Sequence, residues 1–173
     1  MKQIFVINGE AGCGKDTFVS LCDEVMKDCD YNHFVKNVSM VDKVKEIAKI
    51  VGWDGKKDPK SRKFLSDLKD LCDEYNQMSY RAVEDEIDSF LMDSTSGIMF
   101  IHAREPKDIE RICEDFDAYS LVIVRHNYST NPSNHTDMNV YDYDYNYVVT
   151  NPGDSKENFK ADAIRFLDCI KAI

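Results

Sequence analysis

The stretch Gly9-Glu10-Ala11-Gly12-Cys13-Gly14-Lys15-Asp16 follows directly on the β-rich run Lys2–Asn8, and no other feature limits the fold so sharply. It fits G-x-x-x-x-G-K at every required position. Glycines let the backbone wrap so that successive N–H groups converge on an anion. A helix beginning at Lys15 adds the partial positive charge of its N-terminus. The backbone at Gly9, Ala11, Gly12, Cys13 and Gly14 is therefore read as a phosphate cradle, with Lys15 reaching the β- and γ-phosphates of a nucleoside triphosphate.

The last position departs from the usual Ser or Thr, whose hydroxyl ligates Mg²⁺. Asp16 either holds the metal, directly or through water, or caps the helix, and Thr17 is left to offer a hydroxyl to a phosphate. Cys13 inside the loop is either an oxidisable thiol or a small buried side chain.

Beyond the loop, strand and helix patterns alternate. His33–Met40 alternates as a second strand, and Ser39 with Asp42 three residues on resembles a capping box. Val44, Ile47, Ala48 and Val51 form the apolar face of the next helix, which Gly52 suits as a stop. Phe64, Leu65, Leu68, Leu71, Cys72 and Tyr75 keep helical spacing, as do Tyr80, Val83, Ile87 and Leu91, and both stripes are expected to face a core. Ile98–Ile101 and Leu121–Val124 read as strands buried on both faces, joined by a helix over Pro106–Asp115. Tyr145–Thr150 is a fifth strand, Tyr141, Tyr143, Tyr145 and Tyr147 are expected on one strand face, and Lys156–Ala172 is a closing helix.

This order predicts one doubly wound α/β domain over 1–173, without repeat or linker. Ligands of such sheets gather at the carboxyl ends of the strands. That singles out Gly9–Thr17, Ser39–Asp42, His102–Glu105, Arg125 onward and Asn151.

Charge and composition remove several classes of function. A net charge of −10 argues against a polynucleotide partner, while a small anion needs only a local cluster of positive charge. No apolar run reaches the roughly 18 residues that span a bilayer. The opening apolar stretch is too short for a signal peptide and runs straight into the loop, so a cytoplasmic protein is expected. The six cysteines show no C-x-x-C pairing, which argues against zinc, and they are expected to be mostly small buried side chains.

The spelling Gly14-Lys15-Asp16-Thr17 resembles the phage-type deoxynucleoside monophosphate kinases and their bacterial relatives, in the same broad group as phosphomevalonate kinase. Val44-Lys45-Glu46-Ile47-Ala48, Gly52-Trp53-Asp54-Gly55-Lys56-Lys57-Asp58, Arg62-Lys63-Phe64-Leu65 and Asp67-Leu68 are similar to the acceptor side of those enzymes. Ser133-Asn134-His135-Thr136-Asp137 is less specifically so. The resemblance implies a P-loop NTPase fold of the nucleoside monophosphate kinase type: five parallel strands flanked by helices in three layers. It also implies an acceptor segment at about 40–92, a candidate lid at about 125–143, ATP and Mg²⁺ as cofactors, and a nucleoside or deoxynucleoside monophosphate as the small-molecule partner.

Phosphoryl transfer between two anions needs positive charge near both. The chain has six arginines, which makes their placement informative. Arg62 lies in Lys56-Lys57-Asp58-Pro59-Lys60-Ser61-Arg62-Lys63, where five of eight residues are basic, and is either an acceptor-phosphate ligand or part of a solvated loop. Arg104 follows the third strand, where related kinases carry an Asp-x-Arg-like motif for metal and acceptor. Here His102 stands in the acid's place, leaving Glu105 for the metal or for capping the next helix. Arg125 opens a long polar segment without further arginines, in which His126 and His135 are either partial substitutes or surface bystanders. Lys15, Arg104 and Arg125 are thus the catalytic candidates, and Ser39, Asp42, Arg62 and Arg104 the acceptor-binding ones. Two other readings stay open: a kinase for another phosphorylated metabolite, such as phosphomevalonate or dephospho-coenzyme A, and a nucleotide-binding regulatory protein with little turnover. A monomer and a homodimer are equally compatible.

Overall fold

The structure, a computed structural model, describes residues 2–29, 33–56, 58–125 and 139–172. Five strands form one sheet: β1 (Lys2–Asn8), β2 (His33–Ser39), β3 (Ser96–His102), β4 (Tyr119–Arg125) and β5 (Tyr147–Asn151). Their order is β2-β3-β1-β4-β5, so the strand that feeds the glycine loop is central. It pairs in parallel with β3, Phe5 opposite Phe100, and with β4, Ile7 opposite Leu121. β4 in turn pairs in parallel with β5, Arg125 opposite Asn151.

The described helices are α1 (Lys15–Cys29), α2 (Asp42–Ile50), α3 (Pro59–Asn76), α4 (Met78–Met92), α5 (Pro106–Phe116) and α6 (Lys156–Cys169), with a 3₁₀ turn at Asn139–Tyr141. The expected doubly wound α/β arrangement with five strands is what the chain adopts. No described helix is long and apolar enough to cross a membrane.

The chain divides into two compact units. The first, Met1–Asn37 with Asp93–Ile173, contains β1, β3, β4 and β5 and the helices that cover them. One face of its sheet presents Phe5, Ile7, Phe100, Leu121 and Ile123 to Phe18, Leu21 and Cys22 of α1 and to Phe159, Ala163, Phe166 and Leu167 of α6. Rings interlock edge-on there, with Phe166 5.2 Å from Phe5 and 5.4 Å from Phe18. Such pairs add about 1 kcal/mol each beyond the area they bury. The alternate residues Ile4, Val6, Met99, Ile101 and Val122 are buried too, and α5 contributes Ile109 and Ile112 against β1 and β4. The strands are apolar on both faces because both are covered.

The second unit, Val38–Met92, holds α2, α3 and α4. α2 ends in a Schellman turn: the Gly52 N–H donates to Lys49 and the Trp53 N–H to Ala48, with Gly52 at φ +97°. The Asp58 carboxylate caps α3 by accepting from the Ser61 N–H (2.8 Å), with Pro59 in the first turn. α4 buries Tyr80, Val83, Ile87 and Phe90, and α2 buries Val44 and Ala48.

Four expectations change. α3 buries no residue: Phe64 is exposed, Leu71 is 65% exposed and Tyr75 87%. Helical spacing identifies an apolar stripe but not its cover: Leu65, Leu68 and Cys72 of this stripe are half-buried, and α3 lies against α2 and α4. Leu91 is likewise exposed near the end of α4. α2 begins at Asp42 without a side-chain cap from Ser39: the Ser39 hydroxyl accepts from the Val41 N–H at 3.4 Å, while Asp42 reaches back to the Ser39 N–H at 2.8 Å. Of the four tyrosines assigned to one strand face, only Tyr147 lies in β5; Tyr141 is in the 3₁₀ turn, and Tyr143 and Tyr145 are in irregular backbone. Finally, only Cys13 and Cys22 of the cysteines are buried, and Cys29 and Cys169 are exposed where α1 and α6 end.

Candidate phosphate-binding site

β1 ends at Asn8 and α1 starts at Lys15, so the loop between them turns at the carboxyl edge of the central strand. The Cys13 N–H donates to the Glu10 carbonyl (3.2 Å), and the Phe18 N–H to the Gly14 carbonyl (2.9 Å), which opens α1. Gly14 has φ +105°, and a Cβ there would lie 2.6 Å from Asn151 Nδ2, so both backbone and space require glycine. The Lys15 ammonium returns over the loop, donating to the carbonyls of Gly9 (2.5 Å) and Glu10 (3.0 Å). Cys13 is buried, and burial pushes its thiol up despite the neighbouring Lys15. It is the packed side chain of the two readings, with little thiolate to oxidise.

Side chains from distant strands hold this loop. Asn8, fully buried, accepts from the Gly9 N–H at Oδ1 (2.8 Å) and donates from Nδ2 to the Tyr145 hydroxyl (2.7 Å) and the Arg104 carbonyl (3.3 Å). The Tyr145 hydroxyl in turn donates to the Val140 carbonyl (2.9 Å), and burial raises its phenol to about 12. Tyr141 donates to the Glu10 carboxylate (3.0 Å). Arg125 donates from Nη1 to the Gly12 carbonyl (3.3 Å), and Asn151 from Nδ2 to the Cys13 carbonyl (2.7 Å).

The remaining candidates separate by unit. Asp16 stands in the first turn of α1 with its side chain 91% exposed, its Oδ1 3.8 Å from His102 Nε2; that imidazole nitrogen is 2.9 Å from Asn37 Oδ1. Thr17 and Arg104 are exposed. Glu105 occupies the N-cap position of α5, but its side chain makes no capping bond; its carbonyl accepts from Asp108 and Ile109. In the second unit Asp42 pairs with Lys45 (2.8 Å) and holds the Ser39 N–H, while Arg62 is exposed in the first turn of α3. Lys57 and residues 126–138 of the candidate lid, His126 and His135 among them, lie outside the described residues. Among the described residues no three or more of His, Cys, Asp and Glu cluster as a metal site.

The structure thus gathers Gly9–Thr17, Arg125 and the Arg104 backbone around one strand end, in company with Asn8, Tyr141, Tyr145 and Asn151. Those four are not in the motif. A legible signal existed for two of them: Asn8 and Asn151 are amides at the ends of apolar runs, where a buried polar group must find partners.

No family model matches the chain, and no curated protein matches it. Among solved structures it is similar to shikimate kinase from Aquifex aeolicus vf5, with a TM-score of 0.51 and 11% identity over 97% of this chain and 96% of that one. It is similar also to shikimate kinase from Bacteroides thetaiotaomicron, with a TM-score of 0.51 and 11% identity over 98% of each chain. At such identity the likeness is one of fold. The chain has the P-loop NTPase fold, with a five-stranded parallel sheet flanked by helices.

Proposed function

We propose that this chain is an ATP-dependent phosphotransferase acting in the cytoplasm on a nucleoside or deoxynucleoside monophosphate. The observation that carries the reading is the loop itself: a glycine turn at the carboxyl end of the central strand, opening a helix, with the Lys15 ammonium lying across it. In that state Lys15 rests on loop carbonyls, and an anionic phosphate is a stronger acceptor that draws it off. The kinase reading also draws on the shared fold of two proteins described as shikimate kinases. The acceptor class rests on the Gly14-Lys15-Asp16-Thr17 spelling and on the basic stretch that contains Arg62.

The loop amides and Lys15 would bind the phosphate tail of ATP, and Arg125, bonded to the loop at Gly12, would add charge beside it. Arg104 in the first unit is the candidate for orienting the acceptor phosphate, and Arg62, Ser39 and Asp42 are the acceptor-binding candidates carried by Val38–Met92. An ionised phosphate needs no general base, so these residues act by positioning and charge. The exposed carboxylate of Asp16 fits Mg²⁺, which commonly takes one or two carboxylates besides phosphate oxygens and water; Glu105 is the second candidate. When bound, the metal would neutralise charge on the transferring group.

The test is ADP formation from ATP-Mg²⁺ with a panel of ribo- and deoxyribonucleoside monophosphates, phosphomevalonate, dephospho-coenzyme A and shikimate. Acceptor-dependent turnover strongest with one monophosphate is expected; ATP binding without turnover on any acceptor would overturn the kinase reading. Lys15→Ala should weaken ATP-Mg²⁺ binding by about 100-fold, the scale of a lost charge-assisted contact. Unchanged affinity in that variant would displace the site from the loop.

A further inference from the structure

Asn151 is buried at the end of β5, in register with Arg125, and its side-chain amide is used at both ends. Oδ1 accepts from the Gly153 N–H (3.0 Å) and Nδ2 donates to the Cys13 carbonyl (2.7 Å). These two partners set the orientation of the amide, because a flipped side chain would place donor against donor and oxygen against oxygen.

The consequence falls on the next peptide unit. In a trans peptide the N–H points opposite to the C=O. Holding the Cys13 carbonyl against Asn151 therefore turns the Gly14 N–H away from that side chain. The preceding peptide is held in a similar way, by Arg125 on the Gly12 carbonyl (3.3 Å), but its N–H is already engaged with Glu10 (3.2 Å). Gly14 is fitted to the same contact, since a Cβ would meet Asn151 Nδ2 at 2.6 Å.

We infer that Asn151 is a positioning residue, which presets the Cys13–Gly14 peptide so that the Gly14 N–H meets a phosphate without reorganisation. This rests on the phosphate-binding reading of the loop, though not on turnover. A donor aimed before the ligand arrives has no rearrangement to make when the anion binds.

The experiment measures ATP-Mg²⁺ and tripolyphosphate affinity by calorimetry, and the Gly14 amide proton by NMR, in wild type, Asn151→Ala and Asn151→Leu. The leucine variant keeps the volume beside Gly14 and Phe159 if the alanine variant fails to fold. In wild type the Gly14 amide proton should move downfield when either ligand binds. Both variants should bind each ligand about 10-fold more weakly, the range expected for one orienting hydrogen bond and the buried carbonyl left behind. Their Gly14 shift should be reduced.

A purely structural role would lower the melting temperature while leaving affinity and the Gly14 shift of the folded protein unchanged, and that result overturns the inference. If wild type binds both ligands and the variants respond as expected, yet no acceptor is phosphorylated, the kinase reading fails and the role of Asn151 stands. If wild type binds neither ligand, both fall.

Discussion

Both compact units of this chain bury apolar side chains and carry ion pairs along their helices, but they differ in how far apart in sequence their most prominent described contacts reach. Around the sheet, Phe5, Phe18, Phe100 and Phe166 close on one another from two strands and two helices far apart in sequence. In Val38–Met92 the described ion pairs run mainly along single helices: Lys43 with Glu46, Lys45 with Asp42, Lys63 with Asp67 and Lys69 with Asp73. Contacts of the first kind fix a shape, because no member moves without its neighbours. Contacts of the second kind support a helix but do not place it, which in this unit falls to buried residues such as Val44, Ala48, Val83 and Ile87. The phosphate loop belongs to the first kind, since β1, β4, β5 and the 3₁₀ turn all send side chains to it.

The sharpest way to break this contrast is truncation in each unit. Phe100→Ala should cost about 3–5 kcal/mol in urea denaturation, as a large buried ring leaves a cavity. A loss below about 1 kcal/mol would mean that the aromatic cluster does not carry the sheet. Native-state hydrogen exchange gives a graded view: amides of β1 and β3 should be protected at least about 100-fold more than those in the middle of α3. Equal protection would show the two units opening as one.

A smaller effect is expected at the junction of α3 and α4, where Asp73 accepts from the Ser79 N–H (2.8 Å) and pairs with Lys69 (2.8 Å). Burial opposes ionisation of this carboxyl, but Lys69 and the Ser79 N–H outweigh it and hold its pKa low. A carboxylate lowered on folding adds stability above its unfolded pKa of about 4, and loses it as pH falls through the lower folded value. Asp73→Asn should therefore cost about 1 kcal/mol near pH 7, a cost that shrinks as pH drops below about 4. A pH-independent difference would assign the effect to packing. Smallest of all, Leu71→Lys and Tyr75→Ser should change stability by no more than about 0.5 kcal/mol, as exposed positions do.

What the sequence disclosed follows the same division. Features written in short range were readable: the glycine loop, the buried runs of β3 and β4, and the Gly52 stop of α2. Long-range partners were not. Nothing local distinguishes Phe64, Leu71 and Tyr75, which stay exposed, from the Tyr80, Val83 and Ile87 stripe that is buried. The tyrosines misled for the same reason. Alternation suggested a strand through Tyr145, but its hydroxyl is bound to Asn8, far back in the chain, and the backbone there follows that bond instead of the sheet. Asn8 and Asn151 lie outside the loop's pattern because most of their partners are main-chain atoms, which no residue pattern records.

The parallel register of β1 carries a consequence for biosynthesis. Gln3 waits for Ile98 and Phe5 for Tyr119, so the strand is made long before either neighbour emerges from the ribosome. Until then Ile4-Phe5-Val6-Ile7 is an uncovered apolar segment of the kind that chaperones hold and aggregates recruit. Slowing translation after α4 would lengthen that exposure, and one face of the strand stays open longer still, until α6 brings Phe159 and Phe166 to Phe5 and Ile7.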